Sequence, residues 1–440
     1  MTLITNLNEQ TQGVSLHQIF ANLYKFKYII LTTALILWSI IPILGIVFLL
    51  IYCQINISGN KIKDGNIIIA NLIPLILVVF TVTIYNATIT TFSDTDVYIK
   101  VYKLLFYEPL FHTTYAYDTD KEPISFILPQ LLSKLTSGDE FSFLLLQSAT
   151  INIALTVYSI IFIPEFYPIV TLINVMSNGY YYQLFWMPQF YSFIFIIPSI
   201  YLSNYIKSIF LIGIAFFTHN SSLVILGTIF IEKIRDFISQ ILKMMNLTTI
   251  YTKYLFLPFM FGLLLLLFIS GEIVKNISEI ALGNNLFSEK ITAYTGDSVS
   301  SFNQEHFSIR NQIRSLLDYS VILIFVFKSK SNKFNSFIFF RWVAVLLIML
   351  VFYLITYTFG FNMRASALFF CLPGFFYTIP IYSGKLNGHV NIYTYIVLIS
   401  IILRIVYFTL SLLHGPNYLN FFDGNELTTP ITGYFQVLWK

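Results

Sequence analysis

The chain carries no charged side chain between Asp64 and Asp94, and none again between Glu165 and Lys207. Each gap is longer than the roughly 20 residues that take an α-helix across a bilayer. A helix or strand in water must show a polar face, so soluble proteins break such runs much sooner. The chain is therefore expected to fold inside a membrane. Composition agrees, since 25 Lys and Arg with 21 Asp and Glu are only 10% of 440 residues and mean hydropathy is +0.75. Soluble domains draw on roughly 25% charge. Soluble enzymes, secreted disulfide modules and nucleic-acid binders are excluded, the last because the net charge of +4 is spread over loops and forms no basic face.

The expected fold class is all-α: a polytopic integral membrane protein of about 11 transmembrane or re-entrant helices. Candidate spans fall at 28–52, 66–88, 141–163, 167–182, 185–203, 208–231, 254–270, 313–327, 342–359, 365–382 and 391–413. They are continuous apolar runs without the period-2 alternation of a membrane barrel, and in lipid every backbone group must be paired. Residues 1–440 read as a single membrane domain with two outer loops, 89–140 and 271–312. Lys25 and Lys27 precede an apolar stretch with no A-x-A site, which reads as an uncleaved span. Cys53 and Cys371 lie in or beside apolar runs and read as small buried hydrophobes.

Lys233, Arg235, Lys243 and Lys253 collect in one loop, Lys328, Lys330, Lys333 and Arg341 in another, and Lys385 in a third. These loops are expected in the cytoplasm. Loop 89–140, with eight of the 21 acidic residues, falls outside if Phe-Thr-His-Asn-Ser-Ser at 217–222 interrupts the sixth span and turns it into a re-entrant pair. Polar backbone at membrane depth is tolerated where it lines a cavity.

Four constellations are chemically interesting. Asp94-Thr-Asp96-Val-Tyr98 lies just beyond the second span, followed by Glu108-Pro109, then Glu122-Pro123 and an amphipathic stretch at 124–135. A carboxylate held there against the membrane surface can act as general base toward a sugar hydroxyl; the plainer reading is a hydrated acidic loop. Asp-x-Asp without further ligands is a weak metal signal, and no metal site is expected. His219-Asn220-Ser221-Ser222 places an imidazole within a membrane segment, where an ionisable group suggests function, although a helix break in interfacial water also accounts for it. Arg310, Arg314, Arg364 and Arg404 are expected toward the outer half. Arg404, well inside the last span, must pair with an acid, carbonyls or a phosphate, for which its planar fork is suited. The aromatic run Tyr180 to Tyr191 fits an interfacial belt, and its Gln183 and Gln189 amides also suit sugar rings. The chain has no Gly-rich phosphate loop, HExxH or GxSxG.

In this order the elements resemble the EpsG family of bacterial exopolysaccharide polymerases, relatives in role of the Wzy-type O-antigen and capsule polymerases. Asp94-Thr-Asp96-Val-Tyr98 resembles the family's Asp-x-x-x-Tyr element, Glu122-Pro123 (or Glu108-Pro109) its Glu-Pro, and His219-Asn-Ser221 its His-x-Ser. Two departures stand out: Ser93 replaces a Gly, and Tyr182-Gln183 or Pro188-Gln189 replaces an Arg-Gln, leaving a phosphate contact to Arg364 or Arg404. The resemblance implies a GT-C-like arrangement in the bacterial inner membrane. It also implies a metal-independent polymerase acting on undecaprenyl-diphosphate-linked oligosaccharide, with no cofactor and with a flippase and a chain-length regulator as partners. Asp94, Asp96 or His219 would take the acceptor proton. Arg310, Arg314, Arg364 or Arg404 would meet the diphosphate, and Glu122, Tyr98 and Gln183 would contact substrate. Competing readings are a GT-C transferase adding one sugar from a polyprenyl-phosphate donor, and a flippase or transporter for lipid-linked sugars.

Overall fold

The computed structural model describes residues 16–59, 65–88, 93–111, 124–183, 187–219, 222, 225–226, 336–355, 367–379, 381, 392–414 and 430–439. Among them every regular element is helical and no strand occurs. Among the described residues four helices are long and apolar enough to cross a membrane: Gln18–Ile40, Pro42–Gly59, Ile69–Thr88 and Glu140–Phe162. The chain is an integral membrane protein. The expected spans at 254–270 and 313–327 and the loop 271–312 lie outside the described residues.

The first expected span, 28–52, is two helices. After α1 (Leu16–Leu23), α2 (Lys27–Ile40) stops at Ile41, and α3 (Pro42–Gly59) runs back along it. The cause is local: Pro42 has no N–H and crowds the residue before it, so Ile41 takes φ −135 and ψ 79. Gly45 lies against the Trp38 backbone so closely that any Cβ would overlap it. This contact lets the hairpin close within one turn.

The next elements are α4 (Gly65–Thr88), α5 (Ser93–Tyr107), α6 (Ile127–Leu135) and α7 (Glu140–Phe162). The second and third expected spans, 66–88 and 141–163, match α4 and α7 to within a residue. Asp139 starts α7 as its N-cap, accepting a 2.8 Å hydrogen bond from the Ser142 N–H. Tyr102 of α5 donates to the Gly138 carbonyl at 2.9 Å, and Lys103 pairs with Glu140 at 2.9 Å. The start of α7 is therefore tied to the helix that follows α4, and this part of the bundle is called the Asp94 end.

The opposite end is fixed by α8 (Tyr167–Val175), α9 (Met187–Tyr201) and α10 (Tyr205–Thr218). Tyr201 stacks on Phe162 with ring centroids 4.4 Å apart. The chain therefore leaves the end of α7, passes through α8 and a 3-10 turn at Asn178–Tyr182, and returns by α9 to where it began. With nine residues and about 14 Å, α8 is half of what a hydrocarbon layer of about 30 Å requires. Non-helical backbone completes this leg, and it is accepted there because Ser177, Tyr180 and Gln183 are buried in protein.

The remaining described helices are α11 (Ser336–Ile355), α12 (Ala367–Cys371), α13 (Pro373–Phe376), α14 (Ile392–His414) and α15 (Ile431–Trp439). Arg341, expected in a cytoplasmic loop, is instead inside α11 and 0% exposed. Its Nη1 donates to the carbonyls of Ser199 and Ile200, each at 3.2 Å, and of Leu202. A cation at the C-terminal end of α9 meets the negative end of the helix dipole, which makes its burial tolerable. This defines the Arg341 end.

The expected span 365–382 is broken at Leu372-Pro373, and α8 repairs the break. In an unbroken helix the Phe370 carbonyl would accept from the Gly374 N–H. Here Ser177 Oγ donates to the Phe370 carbonyl at 2.6 Å, and the Gly374 N–H goes to Asn174 Oδ1 at 2.7 Å. A Cβ at Gly374 would strike the Val170 carbonyl. The two irregular segments thus complete each other's hydrogen bonding. Cys53 and Cys371 are free and buried.

Candidate functional site

At the Asp94 end lie the backbone positions of Asp94 and Asp96, Tyr98, and the end of α10 that carries His219. Positions 94 and 96 lie in the first turn of α5, so the acidic pair begins a helix and does not lie in an irregular loop. Helical register separates them. Position 94 falls on the side that carries Tyr98, Tyr102 and Leu105, where Tyr102 and Leu105 are buried and Tyr98 packs half-buried on the core. Position 96 falls on the side of Lys100, Lys103 and Tyr107, all exposed.

The predicted amphipathic stretch at 124–135 is α6, which packs on α5. Ser133 Oγ donates to the Tyr102 carbonyl at 2.7 Å. Gln130 holds the turn after α5: its Nε2 donates to the Pro109 carbonyl and its Oε1 accepts from the Phe111 N–H, both at 2.8 Å. Phe111 has φ 62, a left-handed conformation costly for a bulky residue, and the Gln130 amide holds it there.

Asn204 caps the start of α10 through the Lys207 N–H at 3.1 Å, and the helix ends at Thr218. His219 is the C-cap, with φ −157 and ψ 121, and its N–H donates to the Ala215 carbonyl. The break predicted at 217–222 is therefore present. At the very end of α10, the Phe217 carbonyl accepts from the Ile124 N–H at 3.1 Å. Ile124 directly follows Glu122-Pro123, which lie outside the described residues. The end of the acidic segment and the imidazole-bearing helix end thus meet, on the same end of the bundle as α5.

Arg404 lies on the inward stripe of α14 formed by Val397, Ser400, Ile401, Arg404 and Phe408, and is 5% exposed. Its guanidinium sits over the Tyr377 ring at 5.1 Å, and the Tyr377 hydroxyl meets Ser400 Oγ at 2.6 Å. One turn nearer the Asp94 end, Phe408 stacks on Tyr181 at 5.7 Å, and Tyr181 makes an edge contact of 4.8 Å with Tyr85 of α4. Arg310, Arg314 and Arg364 lie outside the described residues.

Between these groups runs a network of uncharged polar side chains at membrane depth. Asn152 of α7 is its hub. Its Oδ1 accepts from Tyr180 OH at 2.7 Å and from Gln183 Nε2 at 2.8 Å; its Nδ2 donates to Ser148 Oγ at 3.1 Å and to Thr83 Oγ1 at 3.3 Å. Ser148 in turn donates to Gln183 Oε1 at 3.3 Å. Gln183, expected at a sugar, has both ends of its amide engaged in this network. Sequence reading overlooked Thr83, Asn86, Gln147, Ser148 and Asn152 because it looked for charge. Their signal was polar residues one helical turn apart in otherwise apolar helices. Among the described residues no cluster of His, Cys, Asp and Glu has the makings of a metal site.

The family model described as the EpsG family matches residues 71–422, which include every group in this network. No curated protein and no solved structure matches the chain.

Proposed function

The chain belongs to the EpsG family, and from that premise we propose that it is a membrane polysaccharide polymerase acting on undecaprenyl-diphosphate-linked oligosaccharide units. The observation that carries this reading is the meeting of the acidic segment and the His219 end of α10 through the Ile124 to Phe217 hydrogen bond, beside the helix that begins at Ser93. A glycosyl transfer needs a proton acceptor and a cationic group within reach of one substrate, and this reading takes the acceptor from the Asp94 end and the cation from Arg404 of α14.

In the proposed reaction the acceptor hydroxyl attacks the anomeric carbon of the growing chain. The new C–O bond forms as the bond from that carbon to the lipid diphosphate breaks, and the diphosphate leaves with the electron pair. Asp94 or His219 takes the hydroxyl proton. Asp94 is preferred over Asp96 because its position lies on the core-facing side of α5. Arg404 stabilises the departing diphosphate, with Arg310, Arg314 and Arg364 as further candidates, and Glu122 and Tyr98 contact the acceptor sugar. A GT-C-like arrangement belongs to the same reading.

In this reading the Arg341 end, with Lys25, Lys27, Lys207 and the buried Arg341, faces the cytoplasm, and the Asp94 end, where Lys100, Lys103 and Lys134 stand beside the acidic pair, opens outward. The localisation proposed is the bacterial inner membrane.

Purified protein incubated with lipid-linked repeat units and resolved on a gel is expected to give a ladder. A single shifted band would identify instead a transferase that adds one sugar, and unchanged substrate would favour a flippase. Cysteine labelling at positions 96 and 219 is expected to report the same side of the membrane. Accessibility from opposite sides would remove the proposed centre.

A further inference from the structure

Two carboxamides beside the Asn152 network lack a partner. Asn86 of α4 and Gln147 of α7 are each 0% exposed, and neither the oxygen nor the nitrogen of either amide has a hydrogen bond among the described residues. Their levels coincide. Asn86 lies one turn beyond Thr83, Gln147 is adjacent to Ser148, and Thr83 and Ser148 are both bound to Asn152. Both amides therefore sit on the Asp94 side of the network, beneath the stacked rings of Tyr102 and Phe143, whose centroids are 3.8 Å apart.

Leaving a buried amide without partners is costly, more so in lipid than in a wet core. The neighbouring network shows that the same helices satisfy such groups where structure alone requires it. We infer that Asn86 and Gln147 form a subsite for the hydroxyl groups of a pyranose ring, belonging to the sugar of a lipid-linked substrate; this rests on the polymerase reading.

The chemistry of the amides selects the ligand. Each presents a donor and an acceptor, so the pair offers both kinds of site without charge. A hydroxyl donates and accepts, and satisfies both. A lipid diphosphate only accepts, and would leave both amide oxygens unmatched while losing its hydration. The anion is better met by the Arg404 guanidinium on α14. Sugar and diphosphate thus take separate places in the same end of the bundle, with the neutral subsite on α4 and α7.

The test uses the full chain in detergent, with Asn86→Leu and Gln147→Leu, and reads the thermal unfolding midpoint with two probes: lipid-linked repeat unit, and undecaprenyl diphosphate without sugar. In the wild type the sugar-bearing lipid is expected to raise the midpoint several degrees more than the bare diphosphate. In both variants that extra rise disappears, while the ligand-free midpoint is unchanged or higher and ladder formation falls at least tenfold. Asn86→Gln and Gln147→Asn recover part of the rise. A variant that keeps the extra rise overturns the subsite. So does a ligand-free midpoint that drops in Asn86→Leu and Gln147→Leu alike, since the amides would then be structural. A wild type that shows the sugar-dependent rise but forms no ladder loses the polymerase reading and keeps the subsite.

Discussion

Asn71 and Asn86 lie on the same helix, have the same side chain and are equally buried at 0% exposure, yet the fold treats them in opposite ways. Asn71, toward the Arg341 end, is saturated. Its Oδ1 accepts from Asn56 Nδ2 at 2.9 Å, and its Nδ2 donates to Tyr167 OH at 3.0 Å and to the Cys53 carbonyl at 3.2 Å. One amide thereby joins α3, α4 and α8. Asn86, toward the Asp94 end, has none of this among the described residues. A membrane protein gains little from apolar contact between helices, because lipid offers the same contact, so interhelical hydrogen bonds take over part of the work of holding helices together. At Asn71 they are complete and the amide serves as scaffold, whereas the open amide of Asn86 is what the proposed subsite uses.

The largest expected effect is on catalysis at the open end. His219→Ala and Asp94→Asn should each lower polymer output by roughly 100-fold or more, the usual range for a lost general base, with protein levels in the membrane unchanged. Gel analysis of polymer against immunoblots of the protein measures this, and full-length polymer from both variants would deprive the Asp94 end of its chemistry.

Next comes stability at the closed end. Asn71→Leu removes three hydrogen bonds and takes this partner from the Asn56 Nδ2 donor and the Tyr167 hydroxyl, so it should destabilise by about 1–3 kcal/mol. Asn86→Leu should be neutral or stabilising in the same unfolding assay. Equal losses in the two variants would erase the contrast between the ends.

Arg341→Met tests the closed end through charge. The carbonyls of Ser199, Ile200 and Leu202 lose their donor, and the return of α9 to the Arg341 end loosens. A loss of about 1–2 kcal/mol is expected from a cation at a partly buried helix terminus. Protease sensitivity near residues 202–204 would rise with it.

The smallest effect belongs to the cap of α7. The Asp139 carboxyl is held below its ordinary value of 3.8 by hydrogen bonding from Ser142, aided by Lys103. A depressed carboxylate contributes stability that is fully present above the ordinary value and lost as pH falls through the folded one. The wild type should therefore lose a small increment of stability below pH 3.8, whereas Asp139→Asn, which caps without charge, should show none of that dependence. Unfolding midpoints of the two proteins at pH 7 and pH 3 read the difference.

Several features were legible along the chain because they are local. The lack of charge between Asp64 and Asp94 required a membrane helix and α4 is there. The polar hexapeptide at 217–222 signalled a break and α10 stops at Thr218. The amphipathic spacing at 124–135 became α6. Other features were not legible. Pro42 divided an apolar run that hydropathy averaged into one span. Arg341 looked like a loop cation because its partners are carbonyls more than a hundred residues away in sequence. Asn86 and Gln147 carry no charge to mark them, and whether an amide is saturated depends on the helices beside it.

The sequence by itself determined the solvent, the helical class and the places where helices must stop, since transfer from water to lipid and the backbone rules of proline are properties of a few neighbouring residues. Only the tertiary structure decided which polar groups meet: that the α8 to α9 segment returns to the end it left, that Ser177 and Asn174 complete a broken helix nearly two hundred residues away, and that one asparagine of α4 is bound while the other is open. Hydrogen bonds between helices join residues distant in sequence, and their partners exist only once the bundle has assembled.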